Sequence, residues 1–294
     1  MQYSGELFAI LAALLWSATA MIYEKLGKKV SPDVINFIRL GLALIFLCVY
    51  TYFTRGMFFP VDADSKTWFW LFLSGLIGFV FGDLFLFKAL STIGARISML
   101  IMATNPIFAA ILGRIFLHEE LTAIQILGMS VVLSGVFLVI LQKKNTGNEF
   151  KYSVRGVVYA ALGSLGQGVG LVVSKFGMGN YNAFAASEIR VIAGVIGFFI
   201  ILLFTKKLSQ IKPVIISPKI MSITTVAAFF GSFLGISFSL LAVKYASTGV
   251  ASTLMTLQPI LLILPTYVIF KEKINLKEIV GAFISVIGVT LLFI

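Results

Sequence analysis

The fold is decided by a stretch that occurs twice: MATNPIFAAILGRIFLHEELTAIQILGMSVVLSGVFLVIL at residues 102–141 and MTLQPILLILPTYVIFKEKINLKEIVGAFISVIGVTLLFI at residues 255–294. The copies align without a gap at an offset of 153, which pairs Met102/Met255, Pro106/Pro259, Glu119/Glu272, Gly128/Gly281 and Gly135/Gly288. Upstream, the offset is 151, which pairs Gly5/Gly156 and Arg39/Arg190. The chain therefore consists of two copies of one repeated unit.

Composition places this unit in a membrane. Hydrophobic residues make up 59% of the chain and charged residues 12%, with a mean hydropathy of +1.03, whereas a soluble domain is about 25% charged. Apolar runs near the roughly 20 residues that cross a bilayer predict transmembrane helices rather than barrel strands. Ten such spans are predicted, the first as a retained helix: 5–24, 33–53, 67–90, 95–117, 122–141, 152–175, 183–204, 219–243, 248–270 and 275–294. The predicted fold class is all-α and polytopic.

Each half holds five of the predicted spans. Because five is odd, the second half must enter the membrane from the opposite side, which predicts two inverted five-helix repeats. We place them at 1–143 and 144–294, in one integrated membrane domain, with residues 142–152 as the linker. Thr122 with Gln125, and Asn275 with Glu278, have the spacing of a capping box before the fifth and tenth spans.

The charge pattern excludes several classes of function. The net charge of +11 comes from Lys and Arg at helix ends, where cations are usual, so we expect no nucleic-acid partner. Sixteen Lys/Arg lie on the side of the odd-numbered loops and five on the other, namely Arg55, Lys66, Arg114, Lys175 and Lys244. The positive-inside rule then predicts both termini outside the cytoplasm. Cys48 and His118 are each the only residue of their type, so no disulfide framework, metal site or cofactor is expected.

Two proline positions indicate a polar site at mid-membrane. Asn105-Pro106 and Gln258-Pro259 fall near the middle of corresponding spans, where proline leaves the carbonyl four residues earlier unpaired. Those carbonyls belong to Met102 and Met255. An amide beside a loosened backbone offers donors and acceptors without fixed charge, as a solute site requires. The alternative is a kink whose amide bonds to a neighbouring helix.

The first helix of each half adds a second symmetric pair, Trp16 and Gln167. We predict that both line a cavity, because a bulky aromatic and an amide fit a tight helix crossing poorly. The nearby glycines Gly163 and Gly170 are instead typical of a close helix contact. Trp16, Asn105, Gln167 and Gln258 are thus the candidate substrate-binding residues.

Asp83 is the outstanding ionisable residue, more than a turn from either end of its span. A buried carboxylate costs several kcal/mol unless it is paired or protonated, so such residues usually face a polar interior. It is a candidate for proton coupling or solute contact, or else a structural acid bonded to another helix. Lys88 is an uncertain partner. Arg39 is interpreted as snorkelling to the interface, and Glu119 as an interfacial charge near a helix start.

Several motifs resemble those of the drug/metabolite transporter superfamily, and in particular its ten-helix EamA-type members. They are Asn105-Pro106 through Leu117-His-Glu-Glu-Leu-Thr122 with Gly128 and Gly135, the equivalent stretch from Gln258-Pro259 to Gly288, the early ALLWS at 13–17, and Arg39. The resemblance implies export or exchange of small metabolites, such as amino acid-like solutes, through a cavity between inverted repeats. Familiar members of this family are generally assigned cytoplasmic termini, whereas the Lys/Arg distribution of this chain predicts termini outside the cytoplasm.

The function predicted is transport of a small metabolite across the cytoplasmic membrane by alternating access. The expected partners are a small-molecule solute and the lipid bilayer, and a monomer is sufficient. A lipid-linked sugar flippase is one alternative. An intramembrane enzyme is another, but it should show convergent catalytic His, Asp, Ser or Cys residues, and this chain offers only scattered ones.

Overall fold

The computed structural model describes residues 3–27, 30–141, 153–261, 263 and 276–293. Within these ranges the secondary structure is helical and contains no strand. Five described helices are long and apolar enough to cross a membrane: Pro32–Arg55, Ser65–Leu90, Val154–Met178, Ala183–Phe204 and Pro218–Tyr245. Shorter apolar helices accompany them. The all-α, multi-pass prediction is confirmed, while the count of ten stays a prediction.

The helices follow one another with short connections. They are α1 (Ser4–Gly27), α2 (Pro32–Arg55), α3 (Ser65–Gly75), α4 (Asp83–Met102), α5 (Asn105–Phe116), α6 (Ala123–Leu141), α7 (Val154–Met178), α8 (Ala183–Phe204), α9 (Ile211–Ile216), α10 (Pro218–Ala227), α11 (Ile236–Tyr245), α12 (Thr248–Met255), α13 (Gln258–Leu261) and α14 (Leu276–Leu292). Two π-helical segments, Leu76–Gly82 and Ala228–Gly235, join α3 to α4 and α10 to α11 without a break. The predicted linker, Glu272 and the Asn275 cap lie outside the described residues.

The chain turns at the predicted boundary between the third and fourth spans, but without the predicted break in helical backbone. Helical backbone continues through residues 91–94, where a break was predicted, and ends at Met102. Contacts with α7 nevertheless show that the chain reverses there. Ile93 lies against Gly156 near the start of α7, whereas Thr104 bonds to Ser164 farther along it. The chain therefore turns within helical backbone.

At the predicted proline kink one helix ends and another begins. Ala103 and Thr104 form a turn, and α5 begins at Asn105 with Pro106 in its first turn. Proline suits that position, because the first amides of a helix have no intrahelical partner. The predicted capping box is present before α6, since the Gln125 amide donates to Thr122 Oγ1 and the Thr122 amide donates to Gln125 Oε1, both at 3.1 Å.

Glycines allow the two halves to pack backbone against backbone. Contacts of α7 with the α3–α4 helix run in opposite chain directions: Gly156 with Ile93, Gly163 with Leu86, Gly170 with Gly78 and Gly177 with Trp70. Contacts of α1 with the α10–α11 helix do the same: Gly5 with Ala246, Trp16 with Gly235 and Thr19 with Gly231. Each pairing joins one half to the other, and Thr19–Gly231 is the repeat equivalent of Gly170–Gly78.

The α6–α14 pair is reciprocal within itself. A Cβ at Gly128 would lie 3.1 Å from the Gly288 carbonyl oxygen, and one at Gly135 would lie 2.5 Å from that of Gly281. These two contacts exchange under the repeat offset. Ser285 Oγ donates to the carbonyl of Val132, its own counterpart, at 3.2 Å. Such self-complementary contact is the property of an interface with twofold symmetry.

Replacing Gly170 by alanine tests this packing. The new Cβ would lie 2.7 Å from Gly78 Cα, a backbone atom that cannot rotate aside, so we expect the free energy of unfolding to fall by about 1–3 kcal/mol. Thermal unfolding of the purified protein in detergent measures the change. Gly41→Ala is the matched control, because a Cβ there meets nothing within 4 Å. An equal loss of stability in both variants would contradict the prediction.

Candidate functional site

An ion pair lies within the helical bundle. Arg39 of α2 donates from Nη2 to Asp83 Oδ2 at 2.8 Å, and Gln167 of α7 donates from Nε2 to Asp83 Oδ1 at 2.8 Å. The Arg39 and Asp83 side chains are 20% and 10% exposed. Asp83 thus faces the protein interior, and a helix from each half completes its coordination. Arg39, rather than Lys88, is its charged partner.

Arg39 is held by more than the carboxylate. Its Nε donates to Asn36 Oδ1 at 2.5 Å, its Nη1 lies 3.5 Å from Ser232 Oγ, and its guanidinium is 5.7 Å from the centre of the Tyr23 ring. The prediction that Arg39 snorkels to the interface is therefore wrong. A desolvated guanidinium is stable only where hydrogen bonds and an opposite charge replace water, and this cluster supplies both. We call Arg39, Asp83, Gln167, Asn36 and Ser232 the charged cluster.

Trp16 and Gln167 occupy tight crossings, contrary to the premise on which they were selected. A Cβ at Gly235 would lie 2.6 Å from Trp16 Nε1, and one at Gly82 would lie 3.2 Å from Gln167 Nε2. Each large side chain fits because a glycine of a π-helical segment faces it. Trp16 Nε1 donates to the carbonyl of Gly231 at 3.0 Å, whereas Gln167 donates to Asp83. Equivalent positions therefore have different partners in the two halves.

The two amides next to proline lie beside those same helices. Asn105 Oδ1 is buried without a hydrogen-bond partner, close to Gly168 of α7. The Gln258 carbonyl lies 3.2 Å from Ser17 Oγ of α1, in the repeat-equivalent arrangement. Side chains reach the two carbonyls left by the helix restarts: Ser164 Oγ donates to Met102 at 3.4 Å, and Gln258 Nε2 donates to Met255 at 3.2 Å. The structure thus places Asn105 beside Gly168, the residue after Gln167, and Gln258 beside Ser17, the residue after Trp16.

Two further buried ionisable residues, Glu188 and Arg190, lie on α8. Glu188 is fully buried and bonds to Thr51 Oγ1 at 3.0 Å and Cys48 Sγ at 3.4 Å on α2. Arg190 is 4% exposed, with its guanidinium 4.8 Å from the centre of the Phe79 ring. No local signal in the sequence links Glu188 to α2.

A second cluster, the Glu119 clamp, joins three connections at one end of the bundle. Glu119 Oε1 accepts from Lys175 Nζ at 2.6 Å, and Oε2 accepts from the Thr248 amide at 2.8 Å and Thr248 Oγ1 at 2.7 Å. Lys175 also donates to the Ala246 carbonyl at 2.7 Å. The sequence predicts Glu119 near a helix start. It contacts the start of α12, a helix of the other half.

A neighbouring group ties the same end together. Tyr181, between α7 and α8, donates to Asp62 Oδ1 at 2.8 Å, and Arg55 contacts both of them. Lys244 donates to the Tyr181 carbonyl at 2.8 Å. Burial raises the pKa of the Tyr181 hydroxyl to about 12, so it remains a proton donor at physiological pH. The sequence assigned Arg55, Lys175 and Lys244 to one membrane side. Their contacts bring these three residues together at one end of the bundle.

These features define a class of protein. The described residues contain no group of three or more His, Cys, Asp or Glu that could hold a metal ion. Carboxylate, guanidinium and amide groups at the contact of two halves can bind a polar solute or a proton. Together with several membrane-crossing helices, this is the chemistry of a multi-pass membrane transporter.

Comparison with known proteins gives the family. The chain belongs to the EamA-like transporter family, which matches residues 3–141 and again residues 154–294. It is similar to an uncharacterized transporter of Archaeoglobus fulgidus, 23% identical over 97% of this chain and 96% of the relative. The uncharacterized transporter YyaM of Bacillus subtilis is 25% identical over 88% of this chain and 83% of its own. A crystal structure with 16% identity superposes with a TM-score of 0.76 over 99% of this chain and 96% of that one, so it shares the fold.

The Glu119 clamp gives a second testable prediction. Glu119→Gln removes the charge that holds Lys175 and Thr248, so we expect the free energy of unfolding to fall by about 1–3 kcal/mol. Chemical unfolding in detergent measures it. Glu120→Gln is the control, because that side chain is 84% exposed in its ion pair with Arg114 and such pairs contribute little. A control that loses as much as Glu119→Gln would show that the clamp is not what stabilises this end.

Proposed function

We propose that the protein moves a small metabolite across the cytoplasmic membrane by alternating access, as an exporter or exchanger. The observation that carries this proposal is the Asp83–Arg39 pair, which lies within the membrane bundle and is completed by Gln167 from the other half. Ionisable groups inside a membrane are costly, and they usually mark the path of a solute or a proton. Membership of a transporter family supports the same function.

The mechanism we infer requires two inverted repeats, at 1–143 and 144–294. Support comes from reciprocal antiparallel contacts, such as Trp16–Gly235 with Gln167–Gly82, and from the contact of Ser285 with its own counterpart Val132. A twofold axis in the membrane plane would relate the halves in this way. Rocking of one half against the other would then open the two membrane sides in turn.

We place the solute site beside the charged cluster, with Trp16, Asn105, Gln167 and Gln258 as lining residues. Asn105 supports this placement most directly, because its buried Oδ1 has no hydrogen-bond partner and a buried acceptor without one is costly. A donor group of the solute would satisfy it. Asp83 is the proposed coupling residue, since a proton there would change the charge of the cluster.

The Glu119 clamp is proposed to close one end in the conformation described. It links the connection after α5 to α7 and α12, so these segments cannot separate while its ion pair is intact. Opening this end would require Glu119 to release Lys175 and Thr248. The same step would remove the contacts of Glu119 to the other half.

The solute can be identified by reconstituting the full chain in proteoliposomes and loading them with a metabolite extract. Mass spectrometry of solutes that exchange across the membrane, compared with protein-free vesicles, would show the substrate class. We expect a distinct polar solute to exchange in a protein-dependent way. If no solute exchanges under any pH gradient, the proposed transport function is wrong.

Once that solute is known, Asp83→Asn tests the coupling role. We expect the variant to retain solute exchange and to lose at least about tenfold of the accumulation driven by a pH gradient, because asparagine cannot take up the proton. Uptake with and without a gradient measures both properties. Glu120→Gln, an acid exposed at the end of the bundle, should leave both unchanged. Gradient-driven uptake at the wild-type level in Asp83→Asn would exclude Asp83 as the coupling residue.

A further inference from the structure

We propose that Arg39 binds an oxyanion of the solute, either a carboxylate or a singly charged phosphate group, and that Asp83 covers this site until it takes up a proton. This inference rests on the proposed transport function, to which it adds a ligand class and a charge balance. It starts from the Arg39 Nη2–Asp83 Oδ2 contact of 2.8 Å, in which the carboxylate occupies the position that an anionic ligand would take.

Only one partner of this ion pair can lose its charge. An arginine guanidinium keeps its proton in proteins, whereas a carboxylate can be neutralised. A proton added to Asp83 Oδ2 removes the negative charge that faces Arg39. Gln167 can continue to donate to Oδ1, which stays an acceptor in the protonated acid. The charge attraction between Asp83 and Arg39 is therefore lost while Asp83 keeps its hydrogen bond to Gln167 of α7.

Arg39 would keep its orientation after this change. Its Nε is fixed by Asn36 at 2.5 Å and its Nη1 lies 3.5 Å from Ser232 Oγ, while the Nη2 group faces Asp83. The Nη2 group can then donate a charge-assisted hydrogen bond to an oxygen of a carboxylate or phosphate. Arg39 is therefore organised in advance for an oxyanion.

Charge balance favours an anion over a cation. The Arg39–Asp83 pair is neutral at rest, and protonation of Asp83 leaves one positive charge in the charged cluster, which is unfavourable without a counterion. A singly charged oxyanion restores neutrality. One proton and one such anion would then move together, and this co-transport is electroneutral. A cationic solute would instead have to compete with Arg39 for the carboxylate.

The surrounding elements reinforce this preference. Arg190 of α8 adds a second cation, since its Nη2 would lie 3.4 Å from a Cβ at Gly78, about one turn before Asp83. Glu188 on the same helix is bonded to Thr51 and Cys48. Outside the cluster, the Tyr23 ring of α1 faces the Arg39 guanidinium, Lys88 follows Asp83 on α4, and α6 carries no titratable residue.

The test is thermal unfolding of the full-length protein in detergent with sodium lactate or sodium dimethyl phosphate, against chloride at equal ionic strength. Both probes are singly charged at pH 5.5 and at pH 8, so a pH dependence belongs to the protein. We expect wild type to gain about 3 °C in Tm at pH 5.5 and much less at pH 8. The probe with the larger effect distinguishes a carboxylate from a phosphate site.

Two variants and a control complete the experiment. Asp83→Asn should gain the same stabilisation at both pH values, because Arg39 is uncovered permanently. The double variant Arg39→Gln/Asp83→Asn, which leaves no unpaired charge, should gain none. Glu120→Gln, another acid paired with an arginine but exposed, should behave as wild type. If Asp83→Asn does not fold, wild type and the double variant decide the question.

Three results would overturn the inference: stabilisation in wild type that does not depend on pH, stabilisation that persists in the double variant, or no effect of either probe. These outcomes are separate from the transport assay. A protein that exchanges solute but binds neither probe would keep the proposed function and lose the oxyanion site. A protein that binds a probe through Arg39 but exchanges no solute would keep the oxyanion site and lose the proposed transport function.

Discussion

Close approach of helix backbones is the constraint on which this structure depends. Lipid is as apolar as leucine, so helices inside a bilayer gain little by burying large side chains against one another. They gain instead from short-range packing, which requires small residues where they cross. Gly78 against Gly170, and Gly128 against Gly288, meet this requirement between the halves. The crossings bring Gln167 beside Asp83, and thus create the charged cluster.

The ion pair also shows how a duplicated chain becomes functionally unequal. Arg39 and Arg190 are equivalent by sequence, yet the position equivalent to Asp83 is Ile236. Arg39 consequently faces a carboxylate, whereas Arg190 lies over the Phe79 ring. Similarly, the repeat pairs Phe37 with Glu188 and Cys48 with Phe199, so the apolar Phe37–Phe199 contact between the halves corresponds to the polar Cys48–Glu188 contact between them. Polar chemistry has thus been placed at one of two equivalent positions, on a scaffold that stays reciprocal.

Sequence predicted the features that depend on local pattern. Apolar runs gave the bounds of α2 and α8 to within a few residues, and the Thr122–Gln125 spacing gave a capping box that the structure confirms. The features that could not be predicted are contacts between residues that lie far apart in the sequence. Nothing local shows that Arg39 meets Asp83, or that glycines lie opposite Trp16 and Gln167, because these contacts join helices far apart in the chain. The turn near residues 91–94 lies where a break between spans was predicted, but no local signal showed that its backbone remains helical.

The π-helical segment before Asp83 has a consequence for how the chain tolerates changes in length. A π turn holds an extra residue relative to an α turn, so removing one residue between Leu76 and Gly82 could restore regular α-helix without breaking the rod. An α-helix turns by about 100° per residue and a π-helix by less, so one residue fewer at the larger rotation leaves later side chains pointing nearly as before. Asp83 would still face Arg39. A deletion within the α-helical part, such as Ser65–Gly75, would instead rotate Asp83 by about 100° away from Arg39, so the π-helical segment is the part of this rod that can lose a residue without turning its carboxylate.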